Sequence, residues 1–327
     1  MTVIDVHTHM LSEPWLDLLR RHGAPRYEVR PSQDAPYGIF LDGAPFMTPQ
    51  PGHWDYRLRI REMDRAKVDL AIVSLTCPNV YFGGPEVSLA AARTVNDEMA
   101  EAQATYPERI RFLASLPWEY PEAAVGELRR ACERGAVGVM VLANVAGLSL
   151  TDPRFAAVWE AIDARALPVL VHPSAPPGTP ALDLRAYNLI ASVGFMFDTS
   201  LAVARMIFDG FLDRHRRLKL IAAHAGAALP YLVGRLDICF DKMTAARARI
   251  SRRPSHYLRR IWYDAVAYTE DALRLCLRVG GEDRVLYGSD YPHNIGDMKG
   301  ILRRVSALPA RTARKVRQTN AERIFRL

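Results

Sequence analysis

The chain has 327 residues, of which 49% are hydrophobic and 24% charged, a balance that is typical of soluble globular proteins and excludes a disordered or fibrous chain. No stretch reaches the roughly 18 uninterrupted apolar residues that span a bilayer, so we expect no membrane segment. We also expect no secretory signal, and four scattered cysteines without a C-x-x-C pair favour a cytoplasmic protein with reduced thiols.

The formal net charge of +7 raises the question of a nucleic-acid partner. The densest basic runs, residues 214–217 and 247–253, are not interleaved with aromatic residues. We therefore interpret them as solvated faces and expect no nucleic-acid binding. A basic chain is also compatible with a small anionic substrate.

Short apolar runs rich in β-branched residues predict eight strands, at residues 3–7, 70–75, 110–116, 137–142, 169–172, 218–223, 261–266 and 285–287. Amphipathic stretches predict helices between and after them, at residues 54–67, 88–106, 121–134, 152–165, 200–214, 229–249, 270–279 and 309–325. Continuous apolar strands that alternate with helices are typical of a parallel sheet covered on both faces. Eight of them predict a single α/β domain over residues 1–327, a (β/α)8 TIM barrel.

Two segments interrupt this alternation of strands and helices. Residues 11–52 are rich in Pro and Gly and carry short alternating pieces. We interpret them as an insertion after strand 1 that folds over the barrel mouth. Residues 173–197 form a second long segment, and prolines stiffen its start.

Possible metal ligands stand at the C-terminal ends of four predicted strands. Strand 1 ends in His7 and His9, and the i, i+2 spacing directs both imidazoles to one face. Strand 5 ends in His172, strand 6 in His224 and strand 8 in Asp290. In a barrel these ends converge on one mouth, where active sites lie. Three imidazoles, one carboxylate and an open water position match catalytic zinc, and His224 is either a further ligand or a hydrogen-bond partner of the bound water.

The motifs themselves resemble a known family. They are His7-Thr8-His9, Val171-His172-Pro173, His224-Ala225-Gly226 and the run YGSDYP at residues 287–292. Together they resemble the amidohydrolase superfamily, in particular the branch of the aminocarboxymuconate semialdehyde, γ-resorcylate and 5-carboxyvanillate decarboxylases. The resemblance covers nearly the whole chain.

The resemblance implies that His7, His9, His172 and Asp290 hold one divalent ion. We expect zinc, with manganese as the alternative. His224 would act as the acid/base beside the metal-bound water, with Asp290 as the second catalytic residue. Strand 4 lacks the lysine that bridges two ions in binuclear members of the superfamily, which favours a mononuclear site.

Arg235 matches the branch arginine that reaches across a dimer interface to a substrate carboxylate, so the resemblance implies a homodimer. Other positions depart from the individual relatives. Residues 46–49 read FMTP where the semialdehyde decarboxylase has Arg-Pro, and Met243 replaces a second arginine. The resorcylate-type enzymes have Glu where this chain has His7. The sequence therefore fits the branch better than any one member.

The first functional hypothesis is non-oxidative decarboxylation of an aromatic or conjugated carboxylate, without an organic cofactor. The alternative is hydrolysis of a lactone, ester or amide by a metal-bound hydroxide, and a hydratase or a non-enzymatic binding protein are further possibilities. Phe195 and Trp118 are the aromatic residues expected to stack on a flat substrate, and His293 is expected to contact it at the rim. Asp264, near the end of strand 7, is a candidate to hydrogen-bond a ligand histidine.

Overall fold

The computed structural model describes residues 2–32 and 35–327, so positions 33 and 34 of the insertion lie outside the described residues. The strands are β1 (Ile4–His9), β2 (Tyr27–Arg30), β3 (Gly38–Leu41), β4 (Ala44–Met47), β5 (Leu70–Ser74), β6 (Ile110–Ala114), β7 (Gly138–Leu142), β8 (Asn144–Val145), β9 (Leu148–Ser149), β10 (Pro168–His172), β11 (Lys219–Ala222), β12 (Trp262–Asp264) and β13 (Val285–Leu286).

The helices are α1 (Glu13–His22), α2 (Tyr56–Ala66), α3 (Pro85–Thr105), α4 (Pro121–Glu133), α5 (Ala156–Arg165), α6 (Phe195–Phe208), α7 (Phe211–Arg214), α8 (Ala223–Gly226), α9 (Leu229–Lys242), α10 (Pro254–Leu258), α11 (Glu270–Gly280), α12 (Met298–Ser306), α13 (Ala310–Arg314) and α14 (Asn320–Phe325). Shorter helical turns of 3-10 or π type cover Pro51–His53, Pro153–Phe155, Ala186–Asn188, Ile190–Gly194, Ala245–Arg247 and Lys315–Thr319.

Eight strands form one sheet in the order β1-β5-β6-β7-β10-β11-β12-β13, and all neighbouring pairs are parallel. The sheet closes on itself because β1 also meets the segment after β13. The Val6 N–H donates to the Tyr287 carbonyl at 3.0 Å, and the His9 N–H donates to the Tyr291 carbonyl at 2.7 Å. The predicted TIM barrel is therefore confirmed, and each predicted strand overlaps one strand of the sheet.

The helix predictions were less accurate at their ends. The helix predicted at 200–214 begins earlier, at Phe195, and is interrupted at Gly210, whose φ of 71° lies in the left-handed region that ends a helix. The helix predicted at 229–249 ends at Lys242, because Met243 has extended backbone angles. The sequence analysis did not predict α1 or α12.

The insertion folds as a small unit above the strand ends. It contains α1 and an antiparallel sheet of β2, β3 and β4. The Ser12 side chain accepts from the Trp15 N–H and caps α1. The buried Trp15 indole donates to the Asn79 carbonyl at 3.0 Å, in the loop after β5. This contact ties the insertion to the C-terminal end of the barrel, where the site lies.

One helical stretch, Ala186–Phe208, is long and apolar enough to cross a membrane by length and composition alone, with a mean hydropathy of 1.4. Half of the apolar window is buried inside the protein, and a core helix of a soluble protein passes the same test.

Candidate metal centre and active site

β1 delivers the first two imidazoles to the centre of the barrel mouth. His7 and His9 are both fully buried, and their Nε2 atoms lie 3.1 Å apart. The predicted i, i+2 geometry is therefore present. Two ring nitrogens at this distance can share a proton in a hydrogen bond or, with both lone pairs free, can bind the same cation.

Asp264, at the end of β12, positions two of the site histidines. Its Oδ2 lies 2.6 Å from His7 Nδ1 and accepts the His224 main-chain N–H at 2.9 Å. Its other oxygen accepts the N–H groups of Ala225 and Val266. A proton on His7 Nδ1 leaves the Nε2 lone pair directed at the centre, as in many metal-ligating histidines. The hydrogen bond expected between Asp264 and a candidate ligand histidine is present, with His7 as the partner.

His172 and Asp290 are the other two candidate ligands, and they come from the end of β10 and from the segment that follows β13. His172 Nδ1 donates to the Pro173 carbonyl at 2.9 Å, which assigns the lone pair to Nε2. The Asp290 N–H donates to the His7 carbonyl at 2.8 Å, so the backbone itself joins the ends of β1 and β13. Asp290 Oδ1 lies 3.4 Å from His7 Nε2 and 3.3 Å from His9 Nε2.

These distances fit one divalent ion. Ligands about 2.1 Å from a tetrahedral ion lie about 3.4 Å from one another, close to the spacings among His7, His9 and Asp290. Asp290 Oδ1 is buried and has no hydrogen-bond partner among the described residues, which a bound cation would supply. Within the described part of the chain, two sets of possible ligand atoms are found in which all members lie within 4.8 Å of one another. One set is His7, His172, His224 and Asp290, and the other is His9, Asp290 and His293.

The pKa values of His9, His172 and Asp290 are consistent with metal binding. Burial lowers the pKa of His9 to about 3 and holds the pKa of His172 well below its ordinary value, so both rings keep a free lone pair at neutral pH. Burial opposes the charge on Asp290, yet the imidazoles of His224 and His9 hold the pKa of this carboxyl well below its usual range. Burial also lowers the pKa of His7, but the Asp264 carboxylate outweighs it and the net shift is upward.

His224 lies next to the four candidate ligands, on the side that faces the cavity. It lies in α8, a turn in which it adopts left-handed angles, φ 57° and ψ 53°, and it lines the cavity described below. Its Nε2 lies 3.6 Å from Asp290 Oδ2, and its Nδ1 has no hydrogen-bond partner among the described residues. A ring in this place is near enough either to ligate the ion or to exchange a proton with a substrate.

A cavity of about 1140 Å³ opens above the ligands and is bounded by His172, His224, Asp290 and His293 at its base. Phe195 lines it, with its ring 6.2 Å from that of Phe46 in an edge-on arrangement. His293 Nε2 lies 3.1 Å from the Thr76 hydroxyl. Phe195 and His293, which were expected to contact the substrate, thus both line this cavity.

Two of the expected substrate contacts are not brought to this cavity. Trp118 is fully buried and packs against Phe155 and Trp159, with ring centroids 5.8 and 4.7 Å away, so it belongs to the core between barrel and helices. Its position just after β6 suggested the mouth, but its indole packs beside α5 instead. Arg235 lies on the exposed part of α9 and does not line the cavity of its own chain.

Arg185 is a lining residue that the sequence analysis did not identify. Among the described residues that bound the cavity, it is the only lysine or arginine, and its guanidinium makes no ion pair or hydrogen bond within residues 2–32 and 35–327. It lies in the long segment between β10 and α6. That segment has no helical or strand periodicity, so nothing in the sequence indicated which of its side chains faces the site.

The amidohydrolase family model matches residues 4–327, which is nearly the whole chain. The chain belongs to the amidohydrolase family. The predicted membership is confirmed by relatives as well. The chain is 31% identical to a 2-amino-3-carboxymuconate-6-semialdehyde decarboxylase of Dictyostelium discoideum, over 90% of this chain and 83% of the relative. Gamma-resorcylate decarboxylases match at 27–28% identity.

Solved structures agree with this placement in the amidohydrolase family. The 5-carboxyvanillate decarboxylase LigW from Sphingomonas paucimobilis has a TM-score of 0.87 at 28% identity, covering all of this chain and 99% of that one. A second 5-carboxyvanillate decarboxylase, from Novosphingobium aromaticivorans, has a TM-score of 0.84 at 24% identity, covers 100% of this chain and 97% of that one, and contains manganese. The relatives named here by activity are decarboxylases, so the hydrolase alternative has less support.

Proposed function

We propose that this amidohydrolase is a metal-dependent, non-oxidative decarboxylase of an aromatic or conjugated carboxylate. The observation that carries the proposal is the convergence of His7, His9, His172 and Asp290 at the base of a cavity that His224 also lines. This arrangement combines a cation site with a neighbouring proton donor. The activities of the relatives agree with it.

His7, His9, His172 and Asp290 would hold a divalent ion, which would supply Lewis acidity to the substrate when bound. His224 then delivers a proton to the carbon that bears the carboxylate. The bond between that carbon and the carboxylate breaks, its electron pair restores conjugation, and CO2 leaves. His224 recovers its proton from solvent through the cavity. Asp264 holds the His224 main chain during both transfers.

The cavity wall supports a flat, anionic substrate. Phe46 and Phe195 offer ring edges and faces for stacking, and Arg185 offers a guanidinium that suits a carboxylate. His293 contributes a polar edge at the base. The small carboxylate substrates of the relatives are of the same class.

We propose zinc as the resident ion, with manganese as the alternative. Three imidazoles and one carboxylate form a donor set that zinc favours, and imidazole nitrogens also accept manganese. Decarboxylation through ring protonation requires no organic cofactor, and we propose none.

The test combines metal loading with product analysis. Metal-free protein is reloaded with zinc or manganese and given hydroxybenzoates, 5-carboxyvanillate and 2-amino-3-carboxymuconate semialdehyde. We expect CO2 release in proportion to bound metal from at least one of them. Release at background with all substrates, together with hydrolysis of lactones or esters by the same loaded protein, would replace the decarboxylase proposal by the hydrolase alternative.

We also propose a homodimer that brings Arg235 to the cavity of a second copy. Large apolar side chains are exposed around the cavity opening: Tyr187 is 94% exposed, Tyr231 82% and Phe197 55%. Tyr231 also lines the cavity, and Arg235 follows it by one turn of α9. Exposed aromatic residues beside an arginine are typical of subunit interfaces.

Analytical ultracentrifugation tests this arrangement. We expect a dimer at micromolar concentration, and a monomer for Tyr231→Asp, since a carboxylate in an apolar interface is costly. A wild-type protein that sediments as a monomer at all concentrations would contradict it. We further propose a cytoplasmic location, which the four free cysteines support.

A further inference from the structure

The guanidinium of Arg59 is fully buried beside the metal centre. Arg59 lies in α2 and donates to the Thr8 hydroxyl at 2.5 Å, to the Gly52 carbonyl at 3.2 Å and to the main-chain carbonyl of His9. Its Nε lies 3.0 Å from the sulfur of Met10. Every one of these acceptors is neutral.

No carboxylate oxygen lies within ion-pair distance of Arg59 among residues 2–32 and 35–327. Its charge instead faces the ring of Tyr291, with the guanidinium carbon 4.8 Å from the ring centroid. Burial lowers its pKa from the ordinary arginine value. A buried cation without a carboxylate partner destabilises a fold unless its hydrogen bonds are made, and Arg59 makes them to a hydroxyl, two main-chain carbonyls and a thioether beside the candidate ligands.

The contacts of Arg59 join three parts of the chain that meet at the ion. Thr8 and His9 form the ligand-bearing end of β1, Gly52 belongs to the insertion, and Tyr291 follows the ligand Asp290. The Thr8 hydroxyl accepts from Arg59 and donates to the Tyr291 carbonyl at 2.9 Å. Hydrogen bonds therefore link Arg59, the end of β1 and the residue after Asp290.

We propose that Arg59 is a positioning residue for the metal centre, which sets the spacing between His9 and Asp290 by fixing the backbone on which each of them stands. The inference rests on the proposed metal site, although not on decarboxylation itself. Arg59 touches neither the ion nor the substrate, so it acts only through the two ligands.

Electrostatics and positioning make opposite predictions for the loss of this side chain. A cation this close to the ion repels it, so removing the charge alone would tighten metal binding. If the geometry of His9 and Asp290 depends on Arg59, removing it weakens metal binding instead. The sign of the change in metal affinity therefore separates the two roles.

The experiment measures zinc and manganese affinity of the full chain by competition with a chromogenic chelator, alongside thermal unfolding of the metal-free protein. We expect Arg59→Met to weaken binding by about tenfold or more, in the range that outer-sphere partners of metal ligands typically contribute. Arg59→Lys, which keeps one donor group, should recover part of that loss.

Arg109→Met is the matched control. Arg109 also donates to main-chain carbonyls, those of Asp69 at 2.7 Å and Val68 at 3.1 Å, but at the opposite end of the barrel. Arg109→Met should lower the unfolding temperature and leave the metal affinity unchanged. This result would show that a loss of stability alone does not weaken metal binding.

Metal binding by Arg59→Met that equals or exceeds that of the wild type overturns the proposal. If this variant does not fold, Arg59→Lys decides by the same criterion. If neither folds, Met10→Leu decides, since it removes only the acceptor of Nε; an unchanged metal affinity there overturns the proposal. A wild-type protein that binds neither metal would instead contradict the proposed metal site.

Discussion

The base of the cavity and its wall are built in different ways. At the base, His7, His9, His172 and Asp290 stand at strand ends, are buried, and have backbones held by the barrel's own hydrogen bonds. The wall includes the insertion and the irregular segment before α6, with Arg185 exposed on it. The barrel strands therefore position the residues proposed for metal binding and proton transfer, while the connecting segments determine which substrate can reach those residues.

The largest expected effect is at the base. Asp290→Asn keeps the size of the side chain but removes its charge, so we expect metal affinity to fall by more than about a hundredfold, beyond the effect of an outer-sphere change. Turnover should be lost with it. Chelator competition and CO2 release measure the two quantities. Asp283→Asn, at an exposed carboxylate paired with Lys315, serves as control. Full retention of metal by Asp290→Asn would show that the base is assembled around another carboxylate.

The second prediction tests whether His224 is a proton donor rather than a metal ligand. His224→Ala should retain most of its metal while kcat falls by about 10² to 10⁴, the range of general acid–base catalysis. His172→Ala is the comparison and should lose the metal. If both variants lose metal equally, His224 is a ligand, which its grouping with His7, His172 and Asp290 also permits.

Asp198 lies where base and wall join. Its two carboxylate oxygens each accept from the side-chain nitrogen of Asn144 at 3.0 Å, and Oδ2 also accepts the Ser174 N–H at 2.9 Å. Ser174 lies two residues after His172. Burial raises its pKa from 3.8 to about 6. The folded protein therefore holds this proton more tightly than the unfolded chain, and the associated stability is present below about pH 4 and is lost as the pH rises through 6.

Urea unfolding of metal-free protein between pH 4 and 7 measures this. Relative to Asp198→Asn, which cannot titrate, the wild type should lose about 3 kcal/mol of unfolding free energy over that interval, an order-of-magnitude value from 1.36 kcal/mol per pKa unit. Parallel pH profiles for the two proteins would show that Asp198 is ionised throughout and that burial is offset by its three hydrogen bonds.

Arg185, on the wall, and Arg235, which would reach the cavity only from a second copy, are competing candidates to anchor a substrate carboxylate. Arg185→Gln should raise KM by about tenfold with little change in kcat, since a charge-assisted hydrogen bond that is equally strong in both states contributes about that much. Arg235→Gln should have such an effect only in a dimer. An unchanged KM for Arg185→Gln, beside a raised one for Arg235→Gln, would assign the anchor to the second copy.

The smallest effect concerns Trp118, which belongs to neither region. Trp118→Phe should change KM by less than about twofold, because the ring packs in the core and its loss there acts on stability rather than on the site. A clear rise in KM without a loss of stability would return Trp118 to the substrate contacts.

The base could be predicted from sequence because each candidate ligand stands in or shortly after a recognisable apolar strand, and parallel strands bring those ends together. The same rule misplaced Trp118, since the direction of a side chain beyond a strand end no longer follows from strand alternation. Asp290 and Trp118 both lie four residues beyond their strands, but the Asp290 N–H donates to the His7 carbonyl on β1, whereas the Trp118 indole packs in the core. Arg185 could not be found, since the backbone of its segment follows tertiary contacts rather than a periodic pattern. Asp264 was found because it stands at the end of a strand.

The barrel closes where β1 meets the residues that follow β13, and Thr8 and Tyr291 are 283 positions apart in the chain. The proposed ion binds on both sides of that junction, through His7 and His9 on one side and Asp290 on the other. A chain in which β13 has not yet joined β1 therefore has no complete coordination sphere, so we expect tight metal binding only after the barrel has closed. Once bound, the ion would add a cross-link between two parts of the barrel that are far apart in the sequence.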